Sequence, residues 1–137
     1  MIVEADSGDE AAVVALWHAC SLTRPWNDPA ADFKRALATP TSTVLLLRTD
    51  DRLVGTVMAG FDGHRGWIYY LGVMPDARRQ GTATRLLEAA TDWLARRGCP
   101  KVELMVRSGN AEAVALYSKL GWEKQPVDVY GIWTERD

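Results

Sequence analysis

The stretch RRQGTATRLLEAATDWLARRG, Arg78 to Gly98, is an ordinary helix with an unusual beginning. Its apolar residues fall at Ala83, Leu86, Leu87, Ala90, Trp93 and Leu94, a three-and-four spacing that lays one apolar stripe along a helix. A plain helix start needs only a Ser, Thr, Asp or Asn cap. Here two arginines and a glycine stand in front instead. A helix N-terminus offers unpaired backbone N–H groups and the positive end of the macrodipole, so it receives an anion readily. Gly81 lets the backbone approach that anion because it has no Cβ. Ala83 keeps the next contact small, and Arg78 and Arg79 add charge. Such a loop suits a diphosphate, although on its own it fits a solvated turn equally well.

Working outward, Trp67 to Val73 (WIYYLGV) and Lys101 to Val106 (KVELMV) read as strands. A strand–helix–strand crossover joins parallel neighbours, so these two are expected to run parallel. Upstream, Thr43 to Arg48 (TVLLLR) and Leu53 to Phe61 (LVGTVMAGF) flank a polar turn and predict a hairpin, which the turn Asp62 to Gly66 extends into a meander. Ile2 to Glu4 reads as a first strand. Ser7 with Glu10 makes a capping box for a helix whose buried stripe is Val13, Leu16, Trp17 and Cys20. Asp28 and Pro29 open a second helix with Ala30, Phe33 and Leu37 inward, ended by Thr39-Pro40. Past the central helix, which Gly98 closes, come a helix from Ala111 to Leu120 and one or two closing strands from Trp122 onward. The expectation is one α/β domain over residues 1–137, a mixed sheet with helices on its faces and the site where the crossover begins.

A chain of 137 residues is long enough to bury a core without disulfides or metal. Its formal net charge of -2, with both signs mixed along the chain, argues against a nucleic-acid partner. The start MIVEADSGDE is acidic where a signal peptide is basic and then apolar, and no apolar run reaches membrane-spanning length. A cytoplasmic protein with no membrane partner is expected. Cys20 and Cys99 lack Cys-x-x-Cys spacing and the chain has 2 histidines, so no metal site is expected and both thiols read as free and buried. Without a Gly-x-x-x-x-Gly-Lys-Ser/Thr loop, or a Gly-x-Gly-x-x-Gly after the first strand, ATP and NAD are poor candidates.

A second signal lies in NAEAVALYSKLGW, Asn110 to Trp122. Tyr117 stands close to two helical turns after Asn110, with Val114 on the line between them. Ala113, Leu116 and Leu120 form a separate apolar face for the core. A tyrosine outside that face can point its hydroxyl into a cleft, or pack at the helix edge.

Taken together these residues resemble the GCN5-related N-acetyltransferase (GNAT) superfamily over nearly the whole chain. Arg78-Arg79-Gln80-Gly81-Thr82-Ala83 looks like that family's acetyl-CoA diphosphate motif, and Asn110 to Trp122 looks like its second motif. Arg24 to Pro29 and Asp62 to Gly66 are similar to a small bacterial subgroup. The resemblance implies a mostly antiparallel mixed sheet with a parallel, splayed central strand pair and helices on both faces. It implies acetyl-CoA as cosubstrate and no metal, with the diphosphate on residues 78–83 and the pantetheine arm along Leu71, Gly72 and Val73. Gly72 also reads as a simple bulge. Asn110 and Tyr117 would complete the cofactor site.

The reaction implied is direct acetyl transfer to a primary amine of a small molecule or peptide, with no nucleophilic Ser or Cys. Leu71 would lend its N–H to the thioester oxyanion, and Tyr117 would act as general acid toward the leaving thiolate. The base stays open among Glu103, Tyr69, Asp62 and His64, with Glu103 the candidate on the strand after the helix. Arg24, Trp26, His64 and Arg65 lie in loops that would edge the acceptor, and Arg24, His64 and Arg65 would suit an amine that also carries a carboxylate. Transfer to ribosomal-protein N-termini is an alternative favoured by Arg107 to Trp122. It is disfavoured by Met105, which cannot act as a base where those relatives carry glutamate. A non-catalytic acyl-CoA-binding module is the other alternative, and the presence of Tyr117 argues against it. The partners implied are acetyl-CoA and an amine, with the protein working as a monomer or homodimer. Among the tryptophans, Trp17, Trp93, Trp122 and Trp133 are expected in the core, while Trp26 could wall an acceptor pocket or staple the following helix.

Overall fold

An unbroken apolar run such as Val44 to Leu47 must be covered on both faces, because successive strand residues point to opposite sides. The computed structural model, which describes residues 1–135, satisfies that demand. The chain forms two compact units, Met1–Met105 and Val106–Asp137.

The first unit carries a five-stranded sheet in the order β1 (Ile2–Glu4), β2 (Ser42–Thr49), β3 (Arg52–Phe61), β4 (Gly66–Val73) and β5 (Val102–Leu104). β1 to β4 pair antiparallel and β5 runs parallel to β4, as the crossover predicts. Val13, Leu16 and Trp17 of α1 (Glu10–Ala19) and Phe33 and Ala36 of α2 (Pro29–Ala38) cluster with Val44 and Leu46 of β2. The intervening Leu45 and Leu47, also buried, face the other side. There α3 (Thr82–Ala95) packs on β2, β3 and β4, burying Leu86, Leu87, Ala90, Trp93 and Leu94. Asp28 caps α2 by accepting from the Ala31 N–H at 3.2 Å, with Pro29 in the first turn. Gly98, at φ +86, ends the turn after α3, and the Cys99 N–H bonds back to the Leu94 carbonyl.

The N-terminal cap lies one residue earlier than expected. Asp6 accepts from the Gly8 N–H, and Asp9, not Glu10, returns the bond to the Asp6 N–H, both at 2.9 Å. A 3-10 turn at Ser7–Asp9 therefore precedes α1, and Glu10 is left as the first residue of the helix proper.

In the second unit Asn110 caps α4 (Ala111–Lys119), accepting from the Ala113 N–H at 3.1 Å. Ala113, Leu116 and Leu120 are half-buried where a core face is expected, and Val114 is exposed. Among the described residues no strand follows Trp122, against the one or two expected. A strand exists only through its ladder, and Pro126 removes a donor from this stretch. The apolar positions of VDVYGIW consequently lie exposed, Trp133 at 64% among them, so Trp133 is not a core residue. Trp122 is half-buried, edge-on to Tyr117 with ring centroids 6.0 Å apart. No helix among the described residues is long and apolar enough to cross a membrane.

Candidate active site

The anion loop is built by two left-handed residues. Arg79 (φ 66) and Gly81 (φ 76) reverse the chain between β4 and α3, and Gly81 occupies the N-cap position with no side chain closing the helix end. The first-turn N–H groups are thus left without the side-chain cap that Asp28 and Asn110 give their helices. A Cβ on Gly81 would meet nothing within 4 Å, so the glycine serves its backbone conformation and the open approach in front of it. On β3, a Cβ at Gly55 would come within 2.7 Å of Leu86 Cδ1 and 3.2 Å of Thr82 Cγ2, so glycine there lets the start of α3 lie directly on the sheet. Thr82 is buried by that contact, Ala83 is half-buried, and Gln80 and Arg79 are exposed.

Arg78 behaves differently from the expectation of a pure anion ligand. Its Nε donates to the Val73 carbonyl at 3.0 Å, and the Cys20 thiol lies 3.3 Å from the same oxygen. The arginine ties the end of β4 to the loop. Cys20 is half-buried, not fully buried as expected, and that burial pushes its thiol above the ordinary range against the opposing pull of Arg78, keeping it protonated. Cys99 is buried as expected.

β4 and β5 are joined by three residue pairs, Gly66 with Val102, Trp67 with Glu103 and Ile68 with Leu104. Beyond Ile68, the β5 side of β4 has no paired strand among the described residues, from Tyr69 through Leu71, Gly72 and Val73. Along its other side β4 carries a bulge: Thr56 pairs with Gly72 and Met58 with Tyr69, so Val57 alone faces Tyr70 and Leu71. Gly72 is therefore paired and is not itself the bulge. Its missing Cβ would stand 2.8 Å from Leu22 Cδ1 and 3.3 Å from Leu16 Cδ2, so glycine is required by the close approach of α1.

The loops expected to edge the acceptor are largely self-satisfied. Arg24 donates to the Ser21 and Thr23 carbonyls at 2.9 and 2.8 Å. Asp62 accepts from the His64 and Arg65 N–H groups, both at 2.8 Å, and these bonds hold its carboxyl below the usual range. A carboxylate stabilised in that way is a poor base. Tyr69 is shifted the other way, its phenol raised by partial burial and then by Asp62, so it is protonated at neutral pH. Arg65 and Glu103, expected in separate roles, form one ion pair at 3.3 Å. His64 and Trp26 are exposed, Trp26 at 56%, and Met105 is half exposed. In the second unit Tyr117 is half-buried, and burial raises its phenol above the ordinary tyrosine range.

Three residues at the bulge escape a reading of the sequence. Tyr70 takes φ +50, its ring stacks on Trp17 with centroids 3.8 Å apart, and its hydroxyl donates to Asp32 Oδ2 at 2.6 Å. Thr56, fully buried, joins them by accepting from Trp17 Nε1 and donating to the Tyr70 carbonyl. A lone Thr inside the apolar run LVGTVMAGF is the one visible hint; Asp32 reads only as an acidic first-turn residue.

The chain matches the Acetyltransferase (GNAT) family over residues 12–122. It is 46% identical over 115 residues to an acetyltransferase of Pectobacterium atrosepticum, covering 84% of this chain and 82% of the relative. To an acetyltransferase of Yersinia pestis it is 44% identical over 119 residues, covering 87% and 84%. Among solved structures, the aminoglycoside acetyltransferase AAC(6')-Iy in complex with a CoA-linked bisubstrate analogue superposes with a TM-score of 0.83 at 17% identity, covering 100% and 98% of the two chains. A predicted acetyltransferase of Clostridium acetobutylicum with acetyl-CoA gives 0.81 at 17% identity, covering 96% and 95%. At such identities these two structures speak for the fold alone. The family match, the two close relatives and the α/β fold together make this chain a member of the GNAT acetyltransferase family.

Proposed function

We propose that this acetyltransferase uses acetyl-CoA and transfers the acetyl group directly to a primary amine of a small molecule or peptide. The observation that carries the reading is the conjunction of an uncapped α3 N-terminus, opened by left-handed Arg79 and Gly81, with the unpaired β4 side from Tyr69 to Val73. The first suits a diphosphate; the second offers N–H and C=O groups to an amide-bearing arm, as an exposed strand edge does. In this reading residues 79–83 hold the diphosphate and Arg78 supports them from behind. Leu71, Gly72 and Val73 line the pantetheine, and Asn110 and Tyr117 contribute from the second motif. The family match runs across both compact units, which supports treating 1–137 as one working domain in the cytoplasm, where acetyl-CoA is supplied.

The chemistry needs a neutral amine, an oxyanion donor and a proton for the thiolate. Leu71 gives the N–H. Tyr117, protonated at neutral pH, gives the proton. Glu103, held by Arg65 at 3.3 Å, orients the water through which the amine loses its proton. Trp26 and His64 border the acceptor. The test is thiol release with acetyl-CoA across polyamines, amino acids, aminoglycosides and peptides. Turnover with an amine establishes the reading, and preference for an alanine- or serine-initiated peptide would move it to protein N-termini. Tight acetyl-CoA binding with no acceptor turning over would make the protein a binding module.

A further inference from the structure

The left-handed Tyr70 is costly where it stands. A non-glycine residue is disfavoured in that conformation, and such strain persists only when its surroundings over-determine it. They do so here from three sides. The ring lies flat on the fully buried Trp17, at 12° between planes. The carbonyl accepts from Thr56 Oγ1 at 3.1 Å, and the Thr56 hydroxyl in turn accepts from Trp17 Nε1 at 3.0 Å. The hydroxyl reaches α2, where the other oxygen of Asp32 is held by Arg35 at 2.7 Å.

The bulge changes what the strand presents. In a regular strand Gly66 and Gly72 would share a face. Here a Cβ on Gly66 would meet Leu94 and Cys99, whereas a Cβ on Gly72 would meet Leu16, Cys20 and Leu22 of the α1 region. The extra residue therefore turns the outer half of β4 over, and Leu71 sits immediately after the turning point.

We propose that Asp32 and Tyr70 form a positioning brace for acetyl transfer: the α2 carboxylate holds the Tyr70 hydroxyl, and through it the left-handed bulge that aims the Leu71 N–H at the thioester carbonyl. The brace rests on the acetyl-CoA reading above. Neither residue touches a reacting atom; both act through the Leu71 backbone.

The test uses acetyl-CoA labelled with carbon-13 at the thioester carbonyl, whose chemical shift reports polarisation without any acceptor. In the wild-type protein the bound carbonyl moves downfield of free acetyl-CoA. Asp32→Ala and Tyr70→Phe, the second keeping the ring on Trp17, lose most of that displacement and about tenfold in kcat, a part of what loss of a whole oxyanion donor costs. The Kd for CoA stays within about twofold. Asp32→Asn, whose amide oxygen still accepts the bond, retains most of both readouts. Folded Asp32→Ala protein with wild-type displacement and kcat, differing only in Tm, overturns the brace while leaving the acetyltransferase standing. Wild-type protein that binds acetyl-CoA with no carbonyl displacement, or fails to bind it, overturns the underlying reading and the brace with it.

Discussion

Arg65 and Glu103 are each other's partners, guanidinium to carboxylate at 3.3 Å, across the β4–β5 end of the sheet. The pairing ties a residue expected to meet an acceptor carboxylate to one expected to take a proton. Glu103→Gln releases the Arg65 charge and, on the proposed reading, removes the anion that would orient a water. The expected outcome is a lower kcat with all amines, together with a severalfold relative gain for amino acids over their decarboxylated analogues, since a charged hydrogen bond becomes available. Thiol-release kinetics on matched acceptor pairs decide the matter; an unchanged ratio removes Arg65 from the acceptor side.

Gly81 at φ +76 predicts two separable effects of a side chain there. Gly81→Ala should cost about 1 kcal/mol of stability from the left-handed backbone, because the Cβ itself meets nothing in the protein. If the loop holds the diphosphate as proposed, Gly81→Val should in addition weaken CoA at least tenfold, about 1.4 kcal/mol, by standing in its approach. Thermal unfolding and calorimetric titration measure the two; wild-type affinity in folded Gly81→Val protein rejects the loop as the diphosphate site.

Tyr117 is held protonated by burial, the form a general acid needs. Tyr117→Phe keeps the ring against Trp122 and should lower kcat by roughly 10²-fold with little change in CoA affinity. A free thiol titrates near about 8.5, so a thiolate leaves with less help at high pH and the deficit should narrow above that value. Profiles from about pH 6 to 9.5 test both statements, and wild-type turnover in the variant would leave Tyr117 as packing.

Stability should fall in alkali through Tyr70. Partial burial, then the bond to Asp32 and the nearby Asp28, raise its phenol well above the ordinary range, opposed only in part by Arg35. The folded state keeps the proton after the unfolded chain has lost it. The stabilisation is therefore complete below about pH 10 and is lost as pH rises past that value toward the folded-state pKa. Urea titrations between about pH 8 and 11.5 should show that decline, and Tyr70→Phe should flatten it. An equal slope in the variant would assign the decline to other groups.

Much of this architecture was legible in the residues because local rules govern it. The apolar stripe Ala83, Leu86, Leu87, Ala90, Trp93 and Leu94 fixes the inner face of α3 by periodicity, and all but the half-buried Ala83 are buried. Asp28-Pro29 fixes the start of α2 by capping chemistry. The crossover length fixes the parallel β4–β5 pair. The unusual start of α3 was legible because Arg79 and Gly81 stand together where a Ser, Thr, Asp or Asn cap would otherwise be, and the helix indeed begins there without a side-chain cap.

Other features depended on partners far along the chain. The sequence by itself determined the positions of α1 to α4 and of the five sheet strands, and the apolar face of α3, since those follow from spacing and backbone preference within a few residues. Only the tertiary structure decided that Arg78 turns back to Val73, that Arg65 closes on Glu103 and that VDVYGIW forms no strand. It alone decided that Tyr70 is left-handed, because the Trp17 stack, the Thr56 bond and the Asp32 carboxylate, respectively 53, 14 and 38 positions away, outweigh the local preference of a tyrosine for extended backbone.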